Sequence, residues 1–543
     1  MLRVNMLLSF LVVAISVSAQ PTLSKEFKIT NSEPYIVVDA DVKQYFADNN
    51  GFSYSIKTNR NSVIVQKFEI QSMKEVARNE YKDLPPYNKV IDIVQIGDNY
   101  YYLFESFENK TQTRLVHLRE FLTKDCSLGK DKILFASDGE VADVTENETY
   151  GNWGLTIGYS SFKVIGSPFK VYESFDHSKI MINYRRNPLM KSDKANHDLL
   201  GFFVFNASFD LIWGREVKMP YSEKEMNNIA YTVGSDGTVY MMSLYREQKD
   251  FRLLTIPQTG DLTVKVVDRG DFTFKNLYIQ ETKDGNLDFL GYYATGIEYK
   301  FWEGSWGTLS FNTNGIRYFQ ISKQGEILKS KNVEFPIGLI NKYESEFQRD
   351  KNEKREEEGK AGIRDLVLRK FTVNPDGSIF ILGEQYYFTQ KFNTQTFQMT
   401  YQFYYEDLVA TKLNADGEVL WMQKLPKRQF GTQGRRGMGI AYLKGNNSHY
   451  ILFLDNVKNA NIDINTAPAK HTDGKGGYLT AYKIDDITGN YSKYTLYNSL
   501  EVNGVKTYQF QTSRILQASD NVLLVEVYIK NKKDMMIKME LVN

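Results

Sequence analysis

The chain has a single cysteine, Cys126, among its 543 residues. One cysteine cannot close a disulfide within the chain, and it excludes a metal site built from several thiolates. Disulfides are dense in small secreted domains, whereas a large exported chain without them is typical of a bacterial periplasm or exterior. We therefore expect Cys126 to be a buried small residue rather than a reactive thiol.

The sequence also lacks an excess of charge of either sign and the usual catalytic motifs. Lys and Arg number 67 against 66 Asp and Glu, so no global field favours nucleic acid or an anionic membrane. The five histidines are scattered without H-x-x-H or H-E-x-x-H spacing, and neither a G-x-S-x-G elbow nor a P-loop occurs. The Asp-Gly pairs lack the alternating carboxylates of a calcium loop. We expect no metal, no cofactor and no nucleic-acid partner.

Long apolar runs are missing after the N-terminal segment. No later segment reaches the run of about 18 apolar residues that indicates a membrane-spanning helix. Residues 1–19 combine Arg3, an apolar core at 6–15 and the small residues Val17-Ser18-Ala19, which predicts a signal peptide cleaved before Gln20. The alternative, a membrane anchor, needs a longer apolar core. We expect a secreted or periplasmic protein, either free or associated with the cell envelope.

Aromatic residues and short strand patterns are abundant, and residues 367–427 show the plan most clearly. The stretch contains two strand pairs, each folded at an Asp-Gly turn, Asp376-Gly377 and Asp416-Gly417. Glycine supplies the positive φ that tight hairpin turns require, and aspartate tolerates the same region. Two such hairpins in sequence make one four-stranded antiparallel sheet, the size of one propeller blade.

Imperfect copies of this unit fill the rest of the chain. The first turn of each copy is followed by an apolar or aromatic strand, and these turns start at residues 50, 98, 176, 236, 284, 376, 446 and 520. The repetition predicts an all-β protein, a β-propeller of about eight four-stranded antiparallel blades. Seven blades are the alternative, since residues 139–168 are irregular, and a pair of β-sandwiches is a further one.

The two ends of the chain complement each other. The eighth copy stops one strand short, while residues 22–30 form a strand pattern without a partner. A ring closes if the N-terminal strand completes the last sheet, and closure removes an edge that would otherwise aggregate. We therefore expect residues 20–543 to form one propeller domain and to be a monomer.

Three insertions interrupt the repeats. Residues 342–360 are highly charged, with Glu, Lys and Arg spaced for pairs along a helix, although a solvated loop is the alternative. Residues 386–407 lengthen the sixth hairpin with many aromatics, and residues 458–477 are polar and Gly-rich, as in a loop.

The best unit combines a strand of the pattern G-x-Φ-Φ-Φ-x-G with a hairpin of the pattern Φ-x-K-L-x-x-x-G-x-Φ-x-W, where Φ is an apolar residue. The positions that fit are Gly377, Ile379, Ile381, Gly383, Lys412, Leu413, Gly417, Val419 and Trp421. In this it resembles the repeats of secreted bacterial β-propeller proteins. The resemblance covers about sixty residues. It implies the fold and an exported location, and it carries no catalytic residues because this repeat class is not defined by a reaction.

Three groups of residues are candidates for ligand binding. Trp302, Glu303 and Trp306 lie within five positions, and exposed Trp faces stack on sugar rings while a carboxylate holds hydroxyls. Tyr386 and Tyr387 belong to the aromatic hairpin. Arg435 and Arg436 lie on a Gly-rich connector and could pair with an anion. The alternatives are aromatic packing between blades for the tryptophans and a solvated connector for the arginines.

These observations favour an exported propeller scaffold that binds a protein or glycan partner through loops on one face. The alternative is an enzyme, a glycan-active hydrolase or lyase with acidic residues gathered in the central channel. Glu303 and Glu384 are the candidates for that role. Such a reaction needs two carboxylates at a defined separation, which the sequence does not supply.

Overall fold

The computed structural model describes residues 23–542 apart from short gaps. The gaps are residues 60–61, 86–87, 138–139, 143–166, 189–191, 247–249, 270–271, 296, 301–307, 394, 396–397 and 433–436. Two strands precede the first blade: β1 (Phe27–Asn31) and β2 (Tyr35–Ile36).

Eight antiparallel blades follow one another along the chain, which confirms the eight-bladed propeller; each has at least four strands, and some carry additional strands at an edge. Blades 1 and 2 contain β3 (Val42–Ala47), β4 (Phe52–Thr58), β5 (Val63–Glu69), β6 (Glu75–Tyr81), β7 (Lys89–Ile96), β8 (Asn99–Glu108), β9 (Thr113–Leu122), β10 (Ser127–Leu128) and β11 (Lys132–Ala136). Blades 3 and 4 contain β12 (Lys170–Glu173), β13 (Lys179–Arg185), β14 (His197–Asn206), β15 (Leu211–Ser222), β16 (Met226–Val233), β17 (Val239–Tyr245), β18 (Asp250–Ile256) and β19 (Thr263–Arg269).

The second half of the ring carries additional elements between its blades. Blade 5 and the segment after it contain β20 (Thr273–Glu281), β21 (Leu287–Ala294), β22 (Ile297–Lys300), β23 (Thr308–Thr313), β24 (Gly315–Ile321), β25 (Ile327–Glu334), α1 (Ile337–Asn341), α2 (Glu346–Glu357) and β26 (Ile363–Arg364). Blade 6 contains β27 (Leu366–Val373), β28 (Ile379–Asn393), β29 (Gln398–Leu413) and β30 (Val419–Leu425), and β31 (Gln429–Gly431) follows it. Blades 7 and 8 contain β32 (Ala441–Gly445), β33 (Ser448–Asp455), β35 (Tyr478–Asp485), β36 (Tyr491–Asn498), β37 (Glu501–Val502), β38 (Val505–Lys506), β39 (Ile515–Ser519), β40 (Val522–Ile529) and β41 (Lys533–Leu541), and β34 (His471–Thr472), between β33 and β35, joins the sheet of blade 6. Val457–Asn459 and Thr512–Arg514 are short 3-10 helices.

The ring closes as the sequence predicts. β1 pairs antiparallel with β41, from Phe27 opposite Leu541 to Asn31 opposite Ile537, and so becomes the outer strand of blade 8. Phe27 is buried and its ring meets that of Tyr450 in blade 7, with centroids 5.5 Å apart. The N-terminal strand therefore covers the edge of blade 8 and also packs against blade 7.

The turns follow from local chemistry. At the first turn of blade 6, Oδ1 of Asp376 accepts a hydrogen bond from the Ser378 amide at 2.9 Å, and Gly377 has φ +80°. This is the geometry that an Asp-Gly turn supplies. At the first turn of blade 3, His177 takes the left-handed position with φ +57°.

The core is divided among the spaces between blades. In the described part of the chain, eight apolar clusters each span two neighbouring blades, and together they run around the ring. The cluster between blades 8 and 1 is small, and buried charges adjoin it. There the Lys57 ammonium lies 2.6 Å from Glu526, and Asp534 is also buried. Cys126 is fully buried between blades 1 and 2, and burial raises the pKa of its thiol to about 12.

The two faces of the ring differ in the length of their connections. Within each blade, the described turns from first to second strand and from third to fourth strand have two to six residues. Because antiparallel strands alternate in direction, these turns all lie on one face. The other connections lie on the opposite face, and those of blades 5, 6 and 7 carry the long segments. We call this the insertion face. No helix among the described residues is long and apolar enough to cross a membrane.

The three insertions each have a defined structure. Residues 342–360 contain α2, which begins after Ser345, whose side chain accepts a hydrogen bond from the Gln348 amide. Residues 386–407 extend β28 and β29 beyond the blade as one hairpin, paired from Tyr386 opposite Tyr405 to its tip. Within residues 458–477, β34 pairs with β31 in parallel, which ties this loop to the base of the hairpin.

Candidate functional site

The insertions meet around one cavity of about 950 Å³ on the insertion face. α2 forms one wall, the base of the β28–β29 hairpin forms another, and the connection after β30 together with the 458–477 loop closes the third side. We call this cavity the insertion pocket. Its lining residues include Asn312, Glu344, Phe347, Gln348, Lys351, Arg355, Arg364, Gln385, Tyr387, Glu406, Asp407, Lys427, Arg428 and Pro468.

A buried ion cluster lies at the floor of the insertion pocket. Glu384 and Lys427 are both fully buried, and Nζ of Lys427 lies 2.9 Å from Oε1 of Glu384. Arg369 donates from Nε to the other oxygen of Glu384 at 2.7 Å. Burial by itself would raise the pKa of the Glu384 carboxyl, but Lys427 and Arg369 hold it below its ordinary value. Burial lowers the pKa of Lys427, against the opposing effect of Glu384.

A second buried lysine fastens the helical insertion to blade 6. Nζ of Lys424 donates to the carbonyls of Ile340 at 3.1 Å and Lys342 at 2.8 Å, and to Oε1 of Glu344 at 3.2 Å. It also lies 3.4 Å from Oδ2 of Asp407. Burial raises the pKa of Asp407 to about 6, although Lys424 opposes the shift. The segment before α2 is therefore held to the sheet by fixed polar contacts.

The predicted tyrosines Tyr386 and Tyr387 point in opposite directions, because successive strand residues alternate between faces. Tyr386 is 7% exposed and packs against Tyr405, with ring centroids 4.7 Å apart. Tyr387 lines the pocket and stacks on Tyr404, with centroids 4.6 Å apart. The guanidinium of Arg364 lies 3.8 Å from the centroid of the Tyr387 ring. The Tyr387 hydroxyl donates to Glu406 at 3.0 Å.

The rim of the pocket presents one aromatic and several basic side chains. Phe347, in the first turn of α2, is 79% exposed. Lys351 lies one turn further along the same helix, and Arg428 lies in the connection after β30; both line the pocket. Both of these basic residues are exposed. Single exposed hydrophobic residues are common on protein surfaces, so Phe347 is a candidate for ligand contact because of its place at the pocket rim rather than its exposure alone.

The remaining predicted binding residues lie outside the described residues: Trp302, Glu303 and Trp306 in the gap at 301–307, and Arg435 and Arg436 in the gap at 433–436. Glu384, a candidate in the enzyme hypothesis, is described and lies enclosed between two cations. Residue spacing could not identify the Glu384 cluster. Arg369 and Lys427 are 15 and 43 positions away from Glu384 in the chain.

A smaller cavity of about 370 Å³ lies in the central channel, among the first strands of blades 3 to 6. Arg185 lies at its wall and donates from Nε to Asp198 at 2.7 Å and from Nη2 to Glu223 at 2.5 Å. Burial raises the pKa of Glu223, while Arg185 opposes the shift. The acidic groups at this point of the channel are therefore bound to one another through a single arginine.

Blade 2 contains a Ser-His-Asp arrangement that no sequence motif predicted. Oγ of Ser106 lies 2.8 Å from Nε2 of His117, and Nδ1 of His117 lies 3.0 Å from Oδ2 of Asp131. The hydrogen bonds run from serine to histidine to aspartate, as they do in a nucleophilic triad. However, Ser106 and His117 are only 4% and 2% exposed, and Phe104 stacks on the imidazole with centroids 4.7 Å apart. An enclosed hydroxyl cannot meet a substrate, so this relay ties β8, β9 and the segment before β11 together.

No protein-family model matches the sequence, and no curated protein matches it. Among solved structures, the β-propeller domain of the trilobed protease from Pyrococcus furiosus is similar, with a TM-score of 0.32 and 8% identity over 84% of this chain and 96% of that one. A polysaccharide lyase gives a TM-score of 0.32 and 11% identity over 94% and 91% of the two chains. A prolyl endopeptidase gives a TM-score of 0.36 and 10% identity over 90% of this chain, which spans only 55% of that enzyme's length. Likenesses this distant say nothing about activity. What is established for this chain is its fold, an eight-bladed β-propeller closed by its N-terminal strand.

Proposed function

We propose that this protein is an exported β-propeller that binds a ligand in the insertion pocket and does not transform it. One observation supports this most strongly. Three insertions from different parts of the chain converge on a single cavity of about 950 Å³, while the described turns of the opposite face have two to six residues. Binding residues are commonly placed on loops held by a rigid scaffold. The cavity volume is at the upper end of the range typical of ligand sites, about 300–1,000 Å³.

The bonding of the acidic residues favours binding over catalysis. A general base needs an oxygen that is free to take a proton from the substrate. In the insertion pocket, Oδ1 of Asp407 accepts from the Lys427 amide at 3.1 Å and Oδ2 faces Lys424. Glu384 is likewise held by two cations. These carboxylates are placed to fix the walls of the pocket.

The channel offers poor support for the hydrolase alternative. Glycoside hydrolysis uses two carboxyls separated by about 5–9.5 Å, so that the sugar lies between them. Asp198 and Glu223 are instead both bound by the Arg185 guanidinium, at 2.7 Å and 2.5 Å, so a cation holds these two carboxylates together and neither is left free beside a sugar.

Export is part of the proposal because of the signal pattern at residues 1–19. N-terminal sequencing of protein purified from an expressing bacterium should begin at Gln20. Intact Met1 on cytoplasmic protein would contradict it.

Phe347→Ala tests the proposed site. An exposed aromatic that anchors a ligand contributes about 2 kcal/mol, or about 30-fold in affinity. Ile487→Ala is the matched control, since Ile487 is 73% exposed on the opposite face. Wild-type and variant proteins would be applied to a glycan array and a peptide array. We expect Phe347→Ala to lose the signal and Ile487→Ala to keep it. A signal that Phe347→Ala leaves intact, or release of cleaved product from a bound glycan, would refute the proposal.

A further inference from the structure

We infer that the ligand of the insertion pocket is an acidic oligosaccharide, one whose sugar rings carry carboxylates. This inference rests on the proposed function and adds the chemical class of the ligand. Two observations support it: the contacts that fix the Arg364 guanidinium, and the fact that the acidic side chains of the pocket have polar partners while two basic ones have no ion-pair partner among the described residues.

Arg364 is positioned as a receptor for a carboxylate. Its guanidinium lies against the Tyr387 ring, which is itself stacked on Tyr404. Nε of Arg364 donates to Asp365 at 3.3 Å, and its side chain is 23% exposed. Among the described residues, neither Nη atom of Arg364 has a hydrogen-bond acceptor. A guanidinium fixed in this way presents a planar fork that matches a carboxylate, at little entropic cost.

The acidic side chains of the pocket are occupied, whereas two basic ones are available. Glu344 and Asp407 face Lys424, and Glu406 accepts from Tyr387. By contrast, Lys351 and Arg428 are exposed at the rim and have no ion-pair partner among the described residues. The charge left to interact with a ligand is therefore positive.

The neutral residues of the pocket suit a sugar better than an acidic peptide. Asn312, Gln348 and Gln385 line the wall. Gln348 already donates to Asn352 and Gln385 to the Arg364 carbonyl, and an amide has a second N–H and an oxygen for a ring hydroxyl. Phe347 adds an open aromatic face at the rim, of the kind on which an apolar sugar face packs. A peptide chain would instead seek the edge of a strand for main-chain pairing.

The experiment is calorimetric titration with three probes: tri-galacturonate, the neutral galactotriose, and hexaglutamate. We expect tri-galacturonate to bind at least about tenfold more tightly than either other probe, because charge-assisted bidentate pairs are strong. Arg364→Gln should weaken that binding about tenfold or more, and Arg364→Lys should restore only part of it because lysine lacks the fork. Lys351→Gln should weaken it several-fold and reduce its dependence on salt. Lys354→Gln, on the same helix but outside the pocket lining, is the control and should bind as wild type.

The outcomes separate the two proposals. Equal binding of galactotriose, or indifference to Arg364→Gln in a protein that still needs Phe347, would refute the acidic class and leave the proposed site standing. Equal or tighter binding of hexaglutamate would refute the sugar class in favour of an acidic peptide. Binding of tri-galacturonate that ignores both Arg364 and Phe347 would refute both. Unfolding midpoints near that of wild type would show that each variant is folded.

Discussion

Replacing Lys427 with methionine tests whether the floor of the insertion pocket depends on its buried ion cluster. Nζ of Lys427 faces Glu384 at 2.9 Å, donates to the Tyr405 carbonyl at 2.8 Å and reaches Gln429 at 3.2 Å, with no solvent contact. Methionine has a similar volume but removes the charge. Among the described residues, Arg369 would then be the one cation left beside the buried Glu384. Breaking a buried pair from one side costs about 3–5 kcal/mol, and we expect a loss in that range.

The paired replacement distinguishes the charge from the packing. In Lys427→Met with Glu384→Leu, no carboxylate is left without its partner, and apolar replacement of a buried pair is often close to neutral. We expect the double variant to be more stable than Lys427→Met alone. Urea unfolding, followed by tryptophan fluorescence and by circular dichroism, measures both. A loss below about 1 kcal/mol in the single variant, or additive losses in the double variant, would refute the reasoning.

The same cluster predicts a pH dependence. In the wild type, the pKa of Glu384 lies below its ordinary value, so its stabilising effect is present above the ordinary carboxyl range and is lost as pH falls through the folded pKa. Without Lys427, the dominant remaining effect on the Glu384 pKa is burial, which raises it above the value in the unfolded chain. Protonation of Glu384 at lower pH then stabilises the folded state of the variant. The stability difference between wild type and Lys427→Met should therefore shrink from pH 7 to pH 4.

Two further predictions concern the ring as a whole. Phe27→Ala removes the buried anchor of the closing strand, and we expect the free energy of unfolding in urea to fall by about 3–5 kcal/mol. If β1 then leaves the edge of β41 uncovered, dimers or larger species should appear on size exclusion. An unchanged unfolding midpoint would mean that closure does not depend on this contact. Three buried histidines have a pKa lowered first of all by burial: His117, His449 and His471. Their neutral forms favour folding, so the melting temperature should fall as pH drops below about 6.5, and a flat profile between pH 7.5 and 5.5 would contradict this.

The blade count could be predicted because similar turn chemistry recurs around the ring. Seven of the eight first turns contain a residue at positive φ, which favours Gly or Asn, while the Asp520-Asn521 turn of blade 8 reverses the chain without one. The eight turns found in the sequence, starting at residues 50 to 520, are the first turns of the eight blades. Even the weak copy at Asp176-His177 folds this way, with His177 in the left-handed region. The pairing of the N-terminal strand with blade 8 was also predictable, since in the sequence residues 22–30 form a strand without a partner and the last blade lacks one strand.

The insertion pocket could be anticipated only in part. The segments at 342–360, 386–407 and 458–477 were recognisable by composition, and strand alternation places all three on one face. Their convergence also depends on long-range contacts that spacing does not encode. Lys424 holds the carbonyl of Ile340 across 84 positions, and β34 pairs with β31. Arg364 and Phe347, the residues on which the proposals rest, carry no motif of their own.

The ligand preference of the insertion pocket can change without destabilising the ring, because the pocket rim and the core of the ring consist of different residues. The stability of the ring resides in the apolar clusters between blades and in the closing strand. The cluster between blades 5 and 6 reaches the pocket at Ile340 and Ile363, but it contains no described residue of α2. Substitutions at exposed α2 positions such as Phe347 and Lys351 should therefore alter the ligand with little effect on folding. The floor differs, because Lys427 and Glu384 belong to blade 6 and its edge and are fully buried. Ligand preference can thus vary at the rim, while the floor keeps Tyr387 and Arg364 on a rigid support.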